Sequence, residues 1–141
     1  LTVYWIYKTL VKPRYSYTRL EQQTTATEVD NEGLMKLNTG DQCLFVYASW
    51  CGHCSACKDD YDAVAAEVEG VHVVKYNGGE DNSQAGIQFL AEKGLQIQGF
   101  PFFVCLRDGE VKKQQTGAFP RDAEGSMKSN MRKFIEEAFA Q

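Results

Sequence analysis

Three of the chain's five cysteines stand close together in the sequence, at Cys51, Cys54 and Cys57. The first two form a Cys-x-x-Cys pair, which can serve either as a redox-active dithiol or as half of a metal site. Because five is an odd number, at least one cysteine stays unpaired within the chain. The residues around the pair decide which chemistry it supports.

Metal chemistry is disfavoured by the rest of the sequence. A zinc site needs four ligands, usually in two pairs, and the one histidine outside the motif is His72, in a predicted strand. The clustered cysteines also match the start of an iron–sulfur run, C-x2-C-x2-C-x3-C-P, but Tyr61 and Asp62 occupy the positions of the fourth cysteine and the proline. We therefore interpret the pair as a redox dithiol and expect neither a metal nor a dissociable cofactor.

The elements that flank the pair predict a different role for each sulfur. An apolar run over residues 43–48 is typical of a strand covered on both faces, and the residues after the motif have helical periodicity. Unpaired N–H groups and the dipole at a helix start favour an anion, so we expect Cys51 to be the thiolate nucleophile. Cys54, one turn later, is expected to be more buried and to act as the resolving thiol. His53 adds positive charge beside Cys51 and favours a more oxidising couple.

The remaining pattern predicts one α/β domain. Strands alternate with helices, an Asp108-Gly109 turn joins two strands as a hairpin, and an apolar stripe over residues 127–139 ends the chain on a helix. The predicted order is βαβαβαββα, with a central mixed sheet and helices on both faces.

With these elements in place, the sequence resembles a thioredoxin-fold domain of the protein disulfide isomerase type. The residues that carry the resemblance are Trp-Cys-Gly-His-Cys at 50–54 and Gly-Phe-Pro at 99–101. The resemblance implies a cis Pro101 lying against the cysteine pair, Phe100 and Pro101 facing the substrate backbone, and Trp50 shielding the Cys51 sulfur.

The implied activity is thiol-disulfide exchange with protein thiols and disulfides. In this scheme Cys51 forms a mixed disulfide, Cys54 resolves it, and Gly52 and His53 set the redox poise on the oxidising side. Arg121 matches, in a shifted register, an arginine that in disulfide isomerases moves toward the active cysteines, and it is a candidate modulator.

One departure from the family leaves a second function open. Phe45 stands where the family commonly buries an acidic proton acceptor, so Cys54 must lose its proton to water or another base, and resolution is expected to be slow. The alternative is a non-catalytic or redox-sensing thioredoxin-fold subunit of a membrane-associated complex.

The other three cysteines and the remaining histidine are expected to be structural. Cys43 and Cys105 fall in predicted strands and Cys57 on the apolar side of the helix, as small buried hydrophobic residues do. A third redox thiol at Cys57 is the alternative. His72 alternates with two valines and is expected at a sheet edge or on the surface.

Charge divides the chain in two. The formal net charge is -4, which argues against nucleic-acid binding, yet residues 1–20 hold four basic side chains and no acidic one. We therefore predict a basic and aromatic extension over residues 1–22 and a thioredoxin-like domain over residues 23–141.

The extension suits a membrane interface, because Tyr4, Trp5 and Tyr7 precede the basic residues. It is either the end of a membrane span or an amphipathic arm packed on the domain or a partner. The Gly-His spacer favours an oxidising lumen of the endoplasmic-reticulum type, whereas a basic flank favours the cytoplasmic or matrix-like side of a membrane. We expect an endomembrane lumen or another organelle, with contact to a membrane or membrane complex through residues 1–20.

Overall fold

A computed structural model describes residues 22–140 and has the predicted order βαβαβαββα. The strands are β1 Thr27–Val29, β2 Asp41–Tyr47, β3 His72–Asn77, β4 Phe102–Arg107 and β5 Glu110–Thr116. The α-helices are α1 Asn31–Met35, α2 Gly52–Glu67, α3 Gln84–Glu92 and α4 Lys128–Ala138, and a 3-10 turn over Asp81–Ser83 leads into α3.

The five strands form one mixed sheet in the order β1-β3-β2-β4-β5. β3 pairs in parallel with both β1 and β2, whereas β4 pairs antiparallel with both β2 and β5. The apolar run before the cysteine motif is therefore the middle strand, and every residue of β2 is buried. The mixed sheet and its central strand are confirmed.

Helices cover both faces of the sheet, as predicted. Alternate side chains of β2 point to opposite faces, so Cys43 and Phe45 join one core and Leu44 and Val46 join the other. The first core is closed by α2 and α4, and the second contains side chains of α1 and α3. The cysteine motif and the final helix therefore share one side of the sheet.

The predicted hairpin is also confirmed. Asp108 and Gly109 both have positive φ, at 51° and 84°, which suits the two central residues of a type I′ turn between β4 and β5. The Asp108 carboxylate accepts a hydrogen bond of 2.8 Å from the Gly40 N–H and holds the turn against the start of β2.

His72 is the first residue of β3. Although β3 lies between β1 and β2, His72 has a ladder partner only in β2, at Gln42, because the pairing with β1 begins at Val74. His72 is half-buried, its Nδ1 lies 2.9 Å from the Gln42 Oε1, and burial lowers its pKa.

The predicted extension falls almost wholly outside the described residues, together with its expected membrane contact. In the described part of the chain, no helix has both the length and the apolar character needed to cross a bilayer. Gln22, the first described residue, donates hydrogen bonds to the carbonyls of Ala66 and Val68 at the end of α2.

Candidate active site

Cys51 lies where β2 gives way to α2, and it caps the helix. Its backbone is extended, at φ -92° and ψ 115°, and its Sγ accepts a hydrogen bond of 3.2 Å from the Cys54 N–H. This is the arrangement of an N-cap side chain, which satisfies one of the free N–H groups of the first turn. The Cys51 sulfur therefore faces a backbone N–H donor at the helix start. Cys51 is 8% exposed, so an edge of the residue reaches solvent.

Cys54 lies one turn further into the helix and is 1% exposed. Burial raises the pKa of Cys54 to about 12, and its hydrogen bond with Cys51 acts in the same direction. Near neutral pH Cys54 is therefore a neutral thiol held behind the outer sulfur. The two cysteines differ in accessibility in the direction expected from the sequence.

Phe45, at the position where the family commonly has a proton acceptor, belongs to a cluster of packed aromatic rings. Phe45 is fully buried, and its ring stacks on that of Phe103 with centroids 4.7 Å apart. The Tyr61 ring meets Phe45 edge-on at 5.0 Å. Phe45 cannot accept a proton, so it cannot be the base that takes the proton from Cys54.

An apolar rim borders the cysteine pair. Trp50 is 71% exposed, and its indole meets the Phe100 ring edge-on at 5.8 Å. The peptide bond between Phe100 and Pro101 is cis, and Pro101 is buried immediately before β4. Trp50, which is expected to shield the Cys51 sulfur, and Phe100, which is expected to face the substrate backbone, are therefore in contact.

Gly52 and His53 form the exposed first turn of α2. A Cβ added at Gly52 would meet nothing within 4 Å, so the space above this residue is open. His53 is exposed as well. Both residues are accessible to a partner that approaches Cys51.

Sequence reasoning missed the part played by Gly78 and Gly79 in supporting the rim. A Cβ at Gly79 would lie 2.5 Å from the Ala48 Cβ and 2.9 Å from the Trp50 Nε1, and one at Gly78 would lie 2.8 Å from the Val46 Cγ1. Only glycine allows this loop to pass so close beneath the indole. A Gly-Gly pair directly after a strand is the signal that could have indicated a close approach.

Cys57 points into the core and not toward the open side of the motif. It is fully buried, and its Sγ lies 3.6 Å from the Met127 Sδ. Burial first and the charge of Cys51 second raise the pKa of Cys57 to about 11, although the charge of Arg121 acts to lower it. The predicted buried, apolar role of Cys57 is therefore confirmed.

Arg121 lies in the loop before α4, with its guanidinium exposed and donating a hydrogen bond of 2.7 Å to the Gly125 carbonyl. Its electrostatic effect is on Cys57, the innermost cysteine of the motif. Its assignment as a modulator of Cys51 and Cys54 stays a prediction. Within residues 22–140, no three His, Cys, Asp or Glu side chains are grouped so that they could hold a metal ion.

The chain is similar to known proteins of one family. The family model described as thioredoxin matches residues 22–133. Protein disulfide isomerase-like 1-3 of Arabidopsis thaliana is 36% identical over 77 residues, which cover 54% of this chain and 12% of that protein. The chain spans only 11% to 19% of the length of the disulfide isomerase relatives that it matches.

Solved structures show the same fold. Thioredoxin f from spinach chloroplast, in its long form, superposes with a TM-score of 0.63 at 23% identity, covering 83% of this chain and 88% of that one. Thioredoxin f2, solved in complex with ferredoxin:thioredoxin reductase, has a TM-score of 0.63 at 22% identity, covering 84% of this chain and 98% of that one. The α/β architecture described above is therefore the thioredoxin-like fold.

Proposed function

We propose that this chain, which belongs to the thioredoxin family of thiol-disulfide oxidoreductases, exchanges disulfides with protein substrates. The exchange is assigned to Cys51 and Cys54. One observation supports the proposal above the others. The Cys51 sulfur caps α2 at 3.2 Å from the Cys54 N–H, while the Cys54 thiol is buried directly behind it. An outer nucleophile with an inner resolving thiol is what this two-step exchange requires.

The proposed reaction of the reduced protein begins at Cys51. Its thiolate attacks one sulfur of a substrate disulfide, the substrate S–S bond breaks, and one substrate thiolate leaves. The Cys54 thiol then gives its proton to solvent and attacks the Cys51 sulfur, which releases the second substrate thiolate and closes the Cys51–Cys54 disulfide. Substrate oxidation is the same sequence in reverse, so the direction depends on the redox partner.

Substrate binding is assigned to the apolar rim. Trp50 is the most exposed large hydrophobic side chain among residues 22–140, and an exposed indole next to a reactive sulfur favours contact with a protein chain. We assign Phe100 and Pro101 to the wall that an extended substrate backbone follows. The open space above Gly52 leaves room for that backbone to reach Cys51.

The disulfide isomerase character and the compartment are part of the proposal. The Gly-His spacer supports an oxidising couple, because a protonated imidazole at this position would stabilise the reduced, thiolate form of the neighbouring cysteine. A couple of that kind acts as an oxidant or isomerase, and we therefore propose an oxidising organelle lumen of the endoplasmic-reticulum type as its place of action.

Reduction of insulin and refolding of scrambled ribonuclease test this function. Cys51→Ser is expected to abolish both activities, because serine cannot form the mixed disulfide. Cys57→Ala is the matched control, since it removes a cysteine of the same helix that faces the core, and it should keep activity within about twofold.

Inactivity of the intact protein in both assays would contradict the proposal. If that protein also purified in a stable complex, the accessory-subunit function would be favoured. The observation behind this second candidate is the aromatic cluster around Phe45, which replaces a proton acceptor.

A further inference from the structure

A second pair of cysteines faces each other in the middle of the sheet. Cys43 of β2 and Cys105 of β4 are directly opposed in the antiparallel ladder, and their Sγ atoms lie 3.6 Å apart. Directly opposed residues in such ladders have Cα atoms about 4.5 or about 5.5 Å apart, and both values lie within the range of about 4.4 to 6.8 Å that disulfides span.

We propose that Cys43 and Cys105 form a second dithiol, which closes into a structural disulfide across β2 and β4 when the chain folds in the presence of a small-molecule disulfide such as oxidised glutathione. Closure needs the sulfurs to approach by about 1.6 Å, from their present separation to a bond of about 2.05 Å. Rotation of the two side chains can supply this movement, because the backbones are already in register.

The surroundings of the pair determine when it can react. Cys43 is 1% and Cys105 0% exposed. The Tyr61 hydroxyl of α2 lies 3.0 Å from the Cys43 carbonyl and 2.8 Å from the Val74 carbonyl, and its single O–H is shared between these two acceptors. Burial raises the pKa of Cys105 well above its usual range, so the folded protein presents a neutral, covered thiol. Oxidation therefore belongs to folding, before α2 and α4 cover this face of the sheet.

The exchange proceeds in two balanced steps. In the unfolded or partly folded chain, one cysteine thiolate attacks oxidised glutathione, whose S–S bond breaks to release one glutathione thiolate. The second cysteine thiolate then attacks the protein sulfur of this mixed disulfide and releases the second glutathione thiolate. Two protein thiols lose two electrons and two protons, and one small disulfide is reduced to two thiols.

The odd number of cysteines is consistent with this pairing. Cys51 and Cys54 form one pair and Cys43 and Cys105 the other, which leaves Cys57 as the unpaired thiol. Cys57 is also fully buried, and its sulfur contacts the Met127 sulfur. The cysteine left over is therefore one that the fold protects from exchange.

The position of the pair indicates what the link would do. β2 runs directly into the loop that carries Cys51, and β4 begins directly after Pro101. A bond between residues 62 positions apart in the chain would hold together the two strands that carry the two sides of the active site. It would stabilise the fold chiefly by restricting the unfolded chain.

The test uses a chain in which only this pair can react, Cys51→Ser/Cys54→Ala/Cys57→Ala. It is unfolded in reductant and refolded in a mixture of oxidised and reduced glutathione. Remaining thiols are then alkylated in denaturant, and the protein is weighed and mapped by mass spectrometry. We expect the mass to be two hydrogen atoms below that of the reduced, unalkylated chain. We also expect one disulfide-linked peptide that contains residues 43 and 105. The oxidised form should also unfold at higher urea than the same chain in reductant.

The matched control carries Cys105→Ala in addition, so that Cys43 has no partner and the urea shift disappears. Two free thiols, separate glutathione adducts or only intermolecular links in the test chain would each overturn the proposal. Should the triple variant fail to fold, peptide mapping of the wild-type chain after the same refolding gives the answer by the presence or absence of the linked peptide. Neither readout depends on Cys51 or Cys54, so failure here is distinguishable from failure of the proposed enzymatic function.

Discussion

The two cysteine pairs of this protein have the same chemistry in opposite surroundings. Cys51 and Cys54 belong to the first turn of a helix, where an N–H donor reaches the outer sulfur. Cys43 and Cys105 lie at the centre of a sheet covered by helices, with carbonyls, rings and aliphatic groups around them. The comparison shows that a thiol's reactivity depends on access and on nearby donors, which residue type alone does not reveal.

An aromatic layer lies between the two pairs. Phe45 and Phe103 are the neighbouring pair of the same ladder on the same face as Cys43 and Cys105, and their rings are stacked. We expect these close-packed rings to hinder thiol-disulfide exchange between the two dithiols. We therefore expect Phe45, which stands where the family commonly has an acid, to slow resolution at the outer pair and to separate it from the inner pair.

Native-state alkylation gives the largest expected contrast between the pairs. In the reduced protein, Cys51 should react with iodoacetamide at least about 10³-fold faster than Cys43 or Cys105, because the inner pair reacts only after opening that costs a large part of the global stability. A timed pulse followed by peptide mass spectrometry measures the rates. Equal alkylation rates for the two pairs in the folded protein would contradict the predicted difference in access. As a control, the rates should become similar in denaturant.

The pH dependence of resolution is the next contrast. The pKa of Cys54 lies near 12, so its thiolate fraction grows about tenfold for each pH unit at pH values well below the pKa. The mixed disulfide at Cys51 should therefore decay about tenfold faster per unit as pH rises from about 7 to about 9. Single-turnover stopped-flow measurements test this, and a decay rate independent of pH would show that another group takes the Cys54 proton.

Serine substitutions should lower the stability of the protein by different amounts at the two pairs. Cys105→Ser places a hydroxyl in a fully buried apolar site and is expected to lower the free energy of unfolding by about 1–3 kcal/mol in reductant. Cys51→Ser keeps a good N-cap and should change it by less than about 0.5 kcal/mol. Urea unfolding curves of the two variants make the comparison, and equal losses would show that the two sites do not differ in this way.

The smallest expected effect belongs to the rim of the outer pair. Trp50→Ala removes an exposed side chain that contacts Phe100, so stability should stay within about 0.5 kcal/mol of wild type. The variant also loses the contact between the indole and the protein substrate. If that contact contributes about 0.5–1.5 kcal/mol to binding, its loss should raise KM by about 2- to 10-fold. Steady-state kinetics with reduced, unfolded ribonuclease measure it. An unchanged KM would contradict the assignment of Trp50 to substrate binding.

Much of the outer site could be predicted from the sequence. An apolar run, a motif and a helical stripe placed Cys51 at a helix start and Cys54 behind it, because these features depend on neighbouring residues. The hairpin at Asp108 and Gly109 was predictable for the same reason, since a tight turn is specified by the residues within it.

The inner site and the support of the rim could not be predicted in this way. Cys43 and Cys105 were correctly expected to be buried, but their position opposite each other depends on the register between β2 and β4. The closeness of Gly79 to Trp50 depends on how one loop passes another.

The amino-acid sequence by itself determined the helix, strand and turn that present Cys51, because capping, periodicity and turn preferences act over a few residues. The tertiary structure alone decided which distant side chains became neighbours, as it did for two sulfurs 62 positions apart. The physical reason is that strand register and core packing are set by the combined burial of many side chains, and no single segment carries that information.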